Sequence, residues 1–227
     1  MIDVVSFDLD GTLVDTAAEI AEAVNRTLPE FGIAARPRDE IERLIGAGAH
    51  ELMRRLLQNI APPQPYELAA LLARFDLHYA ETAGTSGKPY PGCIESLQRL
   101  REDGVRLACV TNKERRHADR VLAVNGLAGC FEQVIGGDTL PWKKPDGRVL
   151  RHLLATLDCT SECAAHVGDS STDMLAARHA GVADWAVPWG YNAGQPIASA
   201  APSRTFDSLP QIASHVLALR HASVLSP

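Results

Sequence analysis

Two aspartates, Asp8 and Asp10, end an apolar run near the start of the chain, and Gly11 and Thr12 follow them at once. The run over residues 2–7 has the composition of a buried strand. Two carboxylates this close repel each other, so ionising both is costly unless a cation lies nearby. The pair is therefore either a local Asx turn or part of a site that holds a cation.

Chemically similar residues follow three later runs that predict strands, at 105–110, 131–135 and 164–167. Because the carboxyl ends of parallel strands meet at one edge of a sheet, we expect these side chains to converge with the first pair. Carboxylates suit Mg²⁺, and a hydroxyl beside a lysine suits a tetrahedral dianion, so the set predicts phosphoryl transfer. Its members are Asp8, Asp10, Thr111, Asn112, Lys144, Asp169 and Asp173.

The elements that would position these residues alternate between strands and helices in the second half of the chain. This alternation predicts an α/β fold with a Rossmann-like parallel sheet. Residues 16–85 show helical periodicity only, with apolar residues four apart in the stretch 20–28. We therefore predict an α/β catalytic core of residues 1–15 and 86–227 and an inserted all-helical cap domain of residues 16–85.

Glycine and proline mark three further features of the chain. The stretch 86–93, SGKPYPGC, predicts a loop that acts as a hinge, and APPQP at 61–65 predicts a turn between helices. Gly46 and Gly48 are either a simple helix break or a cap loop that descends over a substrate. No strand precedes these two glycines and no third glycine follows at the required spacing, which excludes a dinucleotide-binding loop.

Composition limits the class of protein. A chain of 227 residues with 46% hydrophobic and 22% charged residues is typical of a globular protein. A net charge of −6 argues against nucleic acid or a membrane surface as the main partner. The five cysteines show no zinc-site spacing and predict reduced thiols. Without a recognisable signal peptide or membrane span, we expect a cytoplasmic protein, either monomer or homodimer.

Four stretches in order, DLDGTLVDT, VTN, KKP and GDSSTD, resemble the motifs of the haloacid dehalogenase superfamily. A helical segment directly after the first motif resembles the subgroup with a helical C1 cap. Within that subgroup, KPYPG, VTNK, VIGGD and LIGAG are most similar to phosphoglycolate phosphatases. The resemblance implies a Mg²⁺-dependent phosphatase that acts on a small phosphorylated metabolite, with 2-phosphoglycolate as the best match.

The resemblance also implies roles for individual residues. Asp8 would be the nucleophile that becomes an aspartyl phosphate, and Asp10 would be the general acid and base. Asp8, the backbone carbonyl of Asp10, and Asp169 would hold Mg²⁺, with Asp173 as a further acid or, alternatively, a favourable first-turn residue of a helix. Thr111 and Lys144 would contact the phosphoryl group. The expected substrate-binding residues are Gly11, Thr12, Asn112, Gly46 and Gly48.

Two departures and one absent residue shape the alternatives. KKPDG is shortened after the lysine, and GAG at 46–48 stands where relatives often have GNG. Ile20 occupies the position of a histidine that phosphomutases of this fold carry, which disfavours a mutase. The chain could also be a phosphatase for sugar phosphates, N-acetylmuramate 6-phosphate or pyrophosphate, or a non-catalytic binding protein.

Overall fold

The computed structural model, which describes residues 1–58, 60 and 65–224, contains a six-stranded parallel sheet with the strand order β5-β4-β1-β6-β7-β8. These strands are β1 (Val4–Phe7), β4 (Arg106–Val110), β5 (Gln133–Ile135), β6 (Ala164–Gly168), β7 (Ala183–Ala186) and β8 (Arg204–Thr205). A separate antiparallel pair consists of β2 (Val14–Asp15) and β3 (Lys88–Pro89). The parallel α/β fold that the sequence predicts is confirmed.

The position of β1 explains where a site can form. From β1 the chain goes to β4 and β5 on one side, and then returns to β6, β7 and β8 on the other. The strand order therefore reverses beside β1, and ligands of open parallel sheets bind outside the carboxyl ends of strands at such a reversal. The loops after β1, β4, β5 and β6 meet there.

Helices cover both faces of the sheet because neighbouring residues of each strand point to opposite sides. Val5 and Phe7 pack with apolar side chains of the helices on one face, whereas Val4 packs with those on the other. The helices of the first face are α5 (Cys93–Glu102), α6 (Arg115–Val124) and α9 (Leu209–Val224), and those of the second are α7 (Arg148–Thr156) and α8 (Ser171–Ala180).

A helical segment with its own apolar cluster lies between β2 and β3 along the chain. The residues spaced four apart, Ile20, Val24 and Leu28, are all buried in that cluster, as are Phe75 and Tyr79. Its helices are α1 (Ala17–Thr27), α2 (Arg38–Glu42), α3 (Ala49–Gln58) and α4 (Leu68–Thr82). The predicted turn at 61–65 lies almost entirely outside the described residues, and the exact division into two domains stays a prediction.

The two connections of the helical segment pair with each other. Val14 lies opposite Pro89 and Asp15 opposite Lys88, so the prediction that residues 86–93 form only loop is wrong at β3. The carboxylate of Glu19, which is fully buried, accepts hydrogen bonds from the amides of Gly84 and Gly87 at 2.9 and 3.1 Å. This ribbon joins the helical segment to the sheet through two short, hydrogen-bonded strands.

The remaining predictions concern cysteines and membrane spans. All five cysteines are free thiols, and Cys93, Cys109 and Cys130 are buried. No helix in the described part of the chain has both the length and the apolar character that crossing a bilayer requires. The predicted strand at 183–190 is shorter than expected and ends at Ala186.

Candidate active site

An ion pair between Asp8 and Lys144 lies at the carboxyl end of β1. The Lys144 ammonium is 2.9 Å from Oδ1 of Asp8 and 2.6 Å from Oδ1 of Asp173. The amide of Leu9 donates to the same Asp8 oxygen at 2.7 Å. Burial by itself lowers the pKa of Lys144, but Asp173 and Asp8 outweigh it and raise the pKa above its usual range. The buried ammonium therefore stays charged between the two carboxylates.

Asp173 has a structural role as well as a contact with the lysine. It forms a capping box with Ser170 at the start of α8, so the expected first-turn role is present. Nε2 of His166 lies 3.3 Å from the same carboxylate. Burial acts to raise the pKa of Asp173, but Lys144 and His166 outweigh it and lower the pKa. Asp173 is thus an ionised, fully buried anchor for the lysine.

Asp169 follows β6 and is held from two other segments. The hydroxyl of Thr12 donates to Oδ1 at 2.8 Å, and the amide of Tyr191 donates to Oδ2 at 2.7 Å. Gly11 has φ +82°, and a Cβ there would lie 2.6 Å from the Asp169 carboxylate. A Cβ at Gly190 would be 2.2 Å from Asp169. Both glycines are needed because the chain passes directly over this side chain.

Asp10 is held by a hydroxyl and an ammonium. Its Oδ1 accepts hydrogen bonds from the Thr16 hydroxyl at 2.6 Å and from the Lys113 ammonium at 2.8 Å. Lys113 is 3% exposed and also donates to the hydroxyl of Tyr79 on α4. Burial acts to lower the pKa of Lys113, but Asp10 and Tyr79 outweigh it and raise the pKa. Both contacts of the Asp10 carboxylate therefore involve Oδ1.

The segment 46–48 of the helical region contacts the sheet loops directly. The side-chain amide of Asn112 donates to the Gly46 carbonyl at 3.0 Å and to the Lys144 carbonyl at 2.9 Å. The Lys143 ammonium donates to the Ala47 carbonyl at 3.0 Å. Gly48 has φ +97°, and a Cβ there would lie 3.1 Å from the Asn112 carbonyl. The segment therefore packs against the loops after β4 and β5, and its role as a cap loop over a substrate stays a prediction.

One pocket of about 380 Å³, mouth included, opens between the helical segment and the sheet. Polar side chains from the sheet loops form one wall, and Ile20, Ile45 and Leu52 contribute to the apolar wall opposite. Lys113 is the one cationic side chain among the described residues of the lining. The pocket is lined by Asp8, Asp10, Ile20, Ile45, Gly46, Gly48, Ala49, Leu52, Tyr79, Thr111, Asn112 and Lys113.

The carboxylates beside the pocket fit a divalent cation. Oxygens of Asp8, Asp169 and Asp173 lie within 4.8 Å of one another. Among the described residues, the ammonium of Lys144 forms ion pairs with Asp8 and Asp173, and no lysine or arginine forms one with Asp169. Burial, with repulsion from neighbouring carboxylates, raises the pKa of Asp8 and of Asp169. The positive charge nearby is thus too small to balance these carboxylates. Mg²⁺ would supply the missing positive charge, and carboxylate oxygens are ligands that it prefers.

The structure brings most of the predicted site residues together. Asp8, Asp10, Thr111, Asn112, Gly46 and Gly48 line the pocket, and Lys144, Asp169 and Asp173 surround Asp8. Gly11 and Thr12 are not in the lining, since the Thr12 hydroxyl contacts Asp169 and Gly11 accommodates the same carboxylate. Their expected contact with substrate, like the roles of the other residues, stays a prediction.

Lys113 and Tyr79 are pocket residues that the sequence analysis did not select. Lys113 follows Asn112 directly, just after the end of the strand predicted at 105–110. This position could have identified Lys113 as a site residue. Tyr79 carried no such signal, because a tyrosine on the apolar face of a helix is normally a core residue. Thr16 was equally hidden, since its contact with Asp10 depends on the tight turn before α1.

Comparison with known proteins gives a consistent family assignment. The family described as haloacid dehalogenase-like hydrolase matches residues 5–187. A plasmid-encoded phosphoglycolate phosphatase of Cupriavidus necator is 42% identical over 187 residues, which cover 82% of this chain and 81% of that protein. A phosphoglycolate phosphatase of Vibrio cholerae is 37% identical over 220 residues, covering 95% and 97% of the two chains.

The solved structures agree with the sequence comparison. A crystal structure described as a predicted phosphoglycolate phosphatase from Haemophilus somnus superposes with a TM-score of 0.89 at 30% identity. The match covers 94% of this chain and 97% of that one. The similarity therefore extends over both the sheet and the helical segment.

Proposed function

This chain belongs to the haloacid dehalogenase-like hydrolases and is a phosphoric monoester hydrolase, and we propose that its substrate is 2-phosphoglycolate. The observation that carries the mechanism is the Asp8–Lys144 contact of 2.9 Å beside a pocket that Asp10 also lines. We further propose that residues 16–85 act as a cap domain that opens and closes over this pocket.

The proposed reaction has two steps. Both contacts described for Asp8 involve Oδ1, so Oδ2 attacks phosphorus, forms an aspartyl phosphate and displaces the ester oxygen. Asp10 gives its proton to that departing oxygen, which leaves as an alcohol. Asp10 then takes a proton from water, the water oxygen attacks phosphorus, and the bond to Asp8 breaks to release inorganic phosphate.

The surrounding residues stabilise charge in both steps. Lys144 would balance the negative charge that gathers on the phosphoryl oxygens, and Thr111, which lines the pocket, would donate its hydroxyl to one of them. Asp8, Asp169 and the backbone carbonyl of Asp10 would hold Mg²⁺, which when bound supplies positive charge to the phosphoryl group. Asp173 keeps Lys144 in place.

The pocket supports a small, anionic substrate. The space in the pocket that is free for the centre of a water-sized molecule is only about 20 Å³, which favours a small ester over a phosphoprotein. Lys113 faces this space beside the proposed proton donor Asp10, where the leaving group must lie. A carboxylate on that leaving group, as in phosphoglycolate, would find its counter-charge in Lys113.

The structure also bears on the mutase alternative. Ile20 lines the pocket, and an aliphatic side chain cannot transfer a proton between sugar hydroxyl groups. Hydrolysis therefore remains the better account of the site. Sugar phosphates, N-acetylmuramate 6-phosphate and pyrophosphate are competing substrates that the following experiment separates.

The test measures kcat/KM with Mg²⁺ for 2-phosphoglycolate and for phosphate esters without a carboxylate. We expect a preference for 2-phosphoglycolate that falls by about tenfold or more in Lys113→Met, the size of one lost charged contact. Asp8→Asn is expected to lose turnover on every ester while it keeps its fold. Turnover by Asp8→Asn would refute the mechanism, whereas a preference for another ester would refute only the substrate.

A further inference from the structure

A second group of potential metal ligands lies outside the pocket, where the helical segment meets the sheet. His50 on α3, Asp76 on α4 and Glu114 before α6 each offer a ligand atom, and these atoms lie within 4.8 Å of one another. Nε2 of His50 is 2.6 Å from Oδ1 of Asp76 and 3.9 Å from Oε1 of Glu114. All three side chains are partly buried.

Two atoms at the inner side of this group lack hydrogen-bond partners. In the described part of the chain, neither Nε2 of His117 nor Oε2 of Glu114 has one, although both atoms are buried. They lie 3.3 Å apart, and His117 as a whole is only 2% exposed. Buried polar atoms are normally satisfied, so this pair indicates a missing partner that accepts lone pairs from both.

We propose that His50, Asp76 and Glu114 form a site for a transition-metal dication such as Zn²⁺, with the unpartnered Nε2 of His117 next to it. The imidazole nitrogen of His50 favours Zn²⁺ or Co²⁺ over Mg²⁺, which prefers an all-oxygen shell. Ligand atoms of tetrahedral zinc lie about 3.4 Å apart for bonds of about 2.1 Å. The separations from Nε2 of His50 to Oδ1 of Asp76 and to Oε1 of Glu114, 2.6 and 3.9 Å, lie on both sides of that value.

A metal ion at this site would join the helical segment to the sheet. His50 and Asp76 come from α3 and α4, whereas Glu114 directly precedes α6. The ring of His117 lies 4.5 Å from that of Tyr79, which lines the pocket on its other side. The site is therefore behind the pocket wall and separate from Asp8, Asp169 and Asp173.

The experiment uses Co²⁺ and Zn²⁺ as probes on the full chain with Mg²⁺ in excess, so that the all-oxygen site is occupied. We expect one additional Co²⁺ to bind with the intense visible absorption of a four-coordinate, nitrogen-containing site, and Zn²⁺ to displace it. His50→Gln is expected to weaken this binding at least tenfold. His78→Gln removes a histidine of α4 that pairs with Glu30 instead, and it should bind like the wild type.

Equal Co²⁺ stoichiometry and spectra for wild type and His50→Gln would overturn the proposal, as would binding with only the weak absorption of six-coordinate Co²⁺. Glu114→Gln provides a second variant if His50→Gln does not fold, which circular dichroism establishes beforehand. None of these readouts depends on phosphatase activity, so the result is independent of the proposed substrate and mechanism.

Discussion

Replacing Lys144 by methionine tests whether this lysine holds the carboxylate cluster together. Lys144 is 2% exposed, and its ammonium contacts both Asp8 and Asp173. Removing one partner of a buried ion pair leaves uncompensated charge and costs about 3–5 kcal/mol of unfolding free energy. For a protein of this size, that corresponds to a fall in Tm of about 10 °C.

The neighbouring lysine provides the control. Lys143 is exposed and its ammonium contacts one backbone carbonyl, that of Ala47, so Lys143→Met should cost less than about 1 kcal/mol. Urea unfolding of both variants and the wild type, without metal and with Mg²⁺, measures the difference. Mg²⁺ should narrow the gap between Lys144→Met and wild type, because it supplies positive charge to the same carboxylates.

The pH dependence of Lys144→Met adds a second check with a definite sign. Burial already raises the pKa of Asp8, and loss of the ammonium raises it further. The folded variant then binds more protons than the unfolded chain above the ordinary aspartate pKa, so its stability must fall as pH rises from 5 to 8. If metal-free Lys144→Met is within 1 kcal/mol of Lys143→Met at pH 7, the account of the cluster is refuted.

Three further substitutions probe other parts of the structure. Gly48→Ala places a Cβ 3.1 Å from the Asn112 carbonyl, at φ +97°, and should raise KM severalfold in steady-state assays. Gly126→Ala is the control. It has the same kind of backbone strain, at φ +71°, but its Cβ would have no atom within 4 Å. Thr16→Val removes the 2.6 Å hydrogen bond to Asp10, the proposed acid, and should lower kcat about tenfold. The Tm should change by only a few degrees. An unchanged kcat would argue that this hydrogen bond has no role in catalysis. Arg74 and His78 lower the pKa of Glu30 to about 2, so the stability that Glu30 contributes is complete above its unfolded pKa and disappears as pH falls toward 2. In thermal melts, the Tm of Glu30→Gln should therefore be below that of the wild type at pH 6, and this difference in Tm should disappear toward pH 2. A difference in Tm that does not depend on pH would contradict a contribution of the ion pair.

Local sequence patterns determined much of this protein. Alternating strands and helices predict the parallel sheet because each pattern has its own periodicity. Asp8, Asp169 and Thr111 could be selected because polar residues at the ends of buried strands must meet at one edge of the sheet. The helix α1 follows equally from the apolar residues spaced four apart from Ile20 onward. These features depend on neighbours within a few residues along the chain.

Other features exist only because distant segments meet. Three strands, β2, β3 and β8, are only two residues long, which is too short to show a sequence period. They form because β2 and β3 pair with each other and β8 pairs with β7. Tyr79 gains its contact with Lys113 from the packing of α4 against the sheet loops. Thr12 faces Asp169, 157 residues away, rather than the pocket. Such contacts depend on how the helical segment packs against the sheet. Local periodicity and spacing along the sequence do not predict that packing.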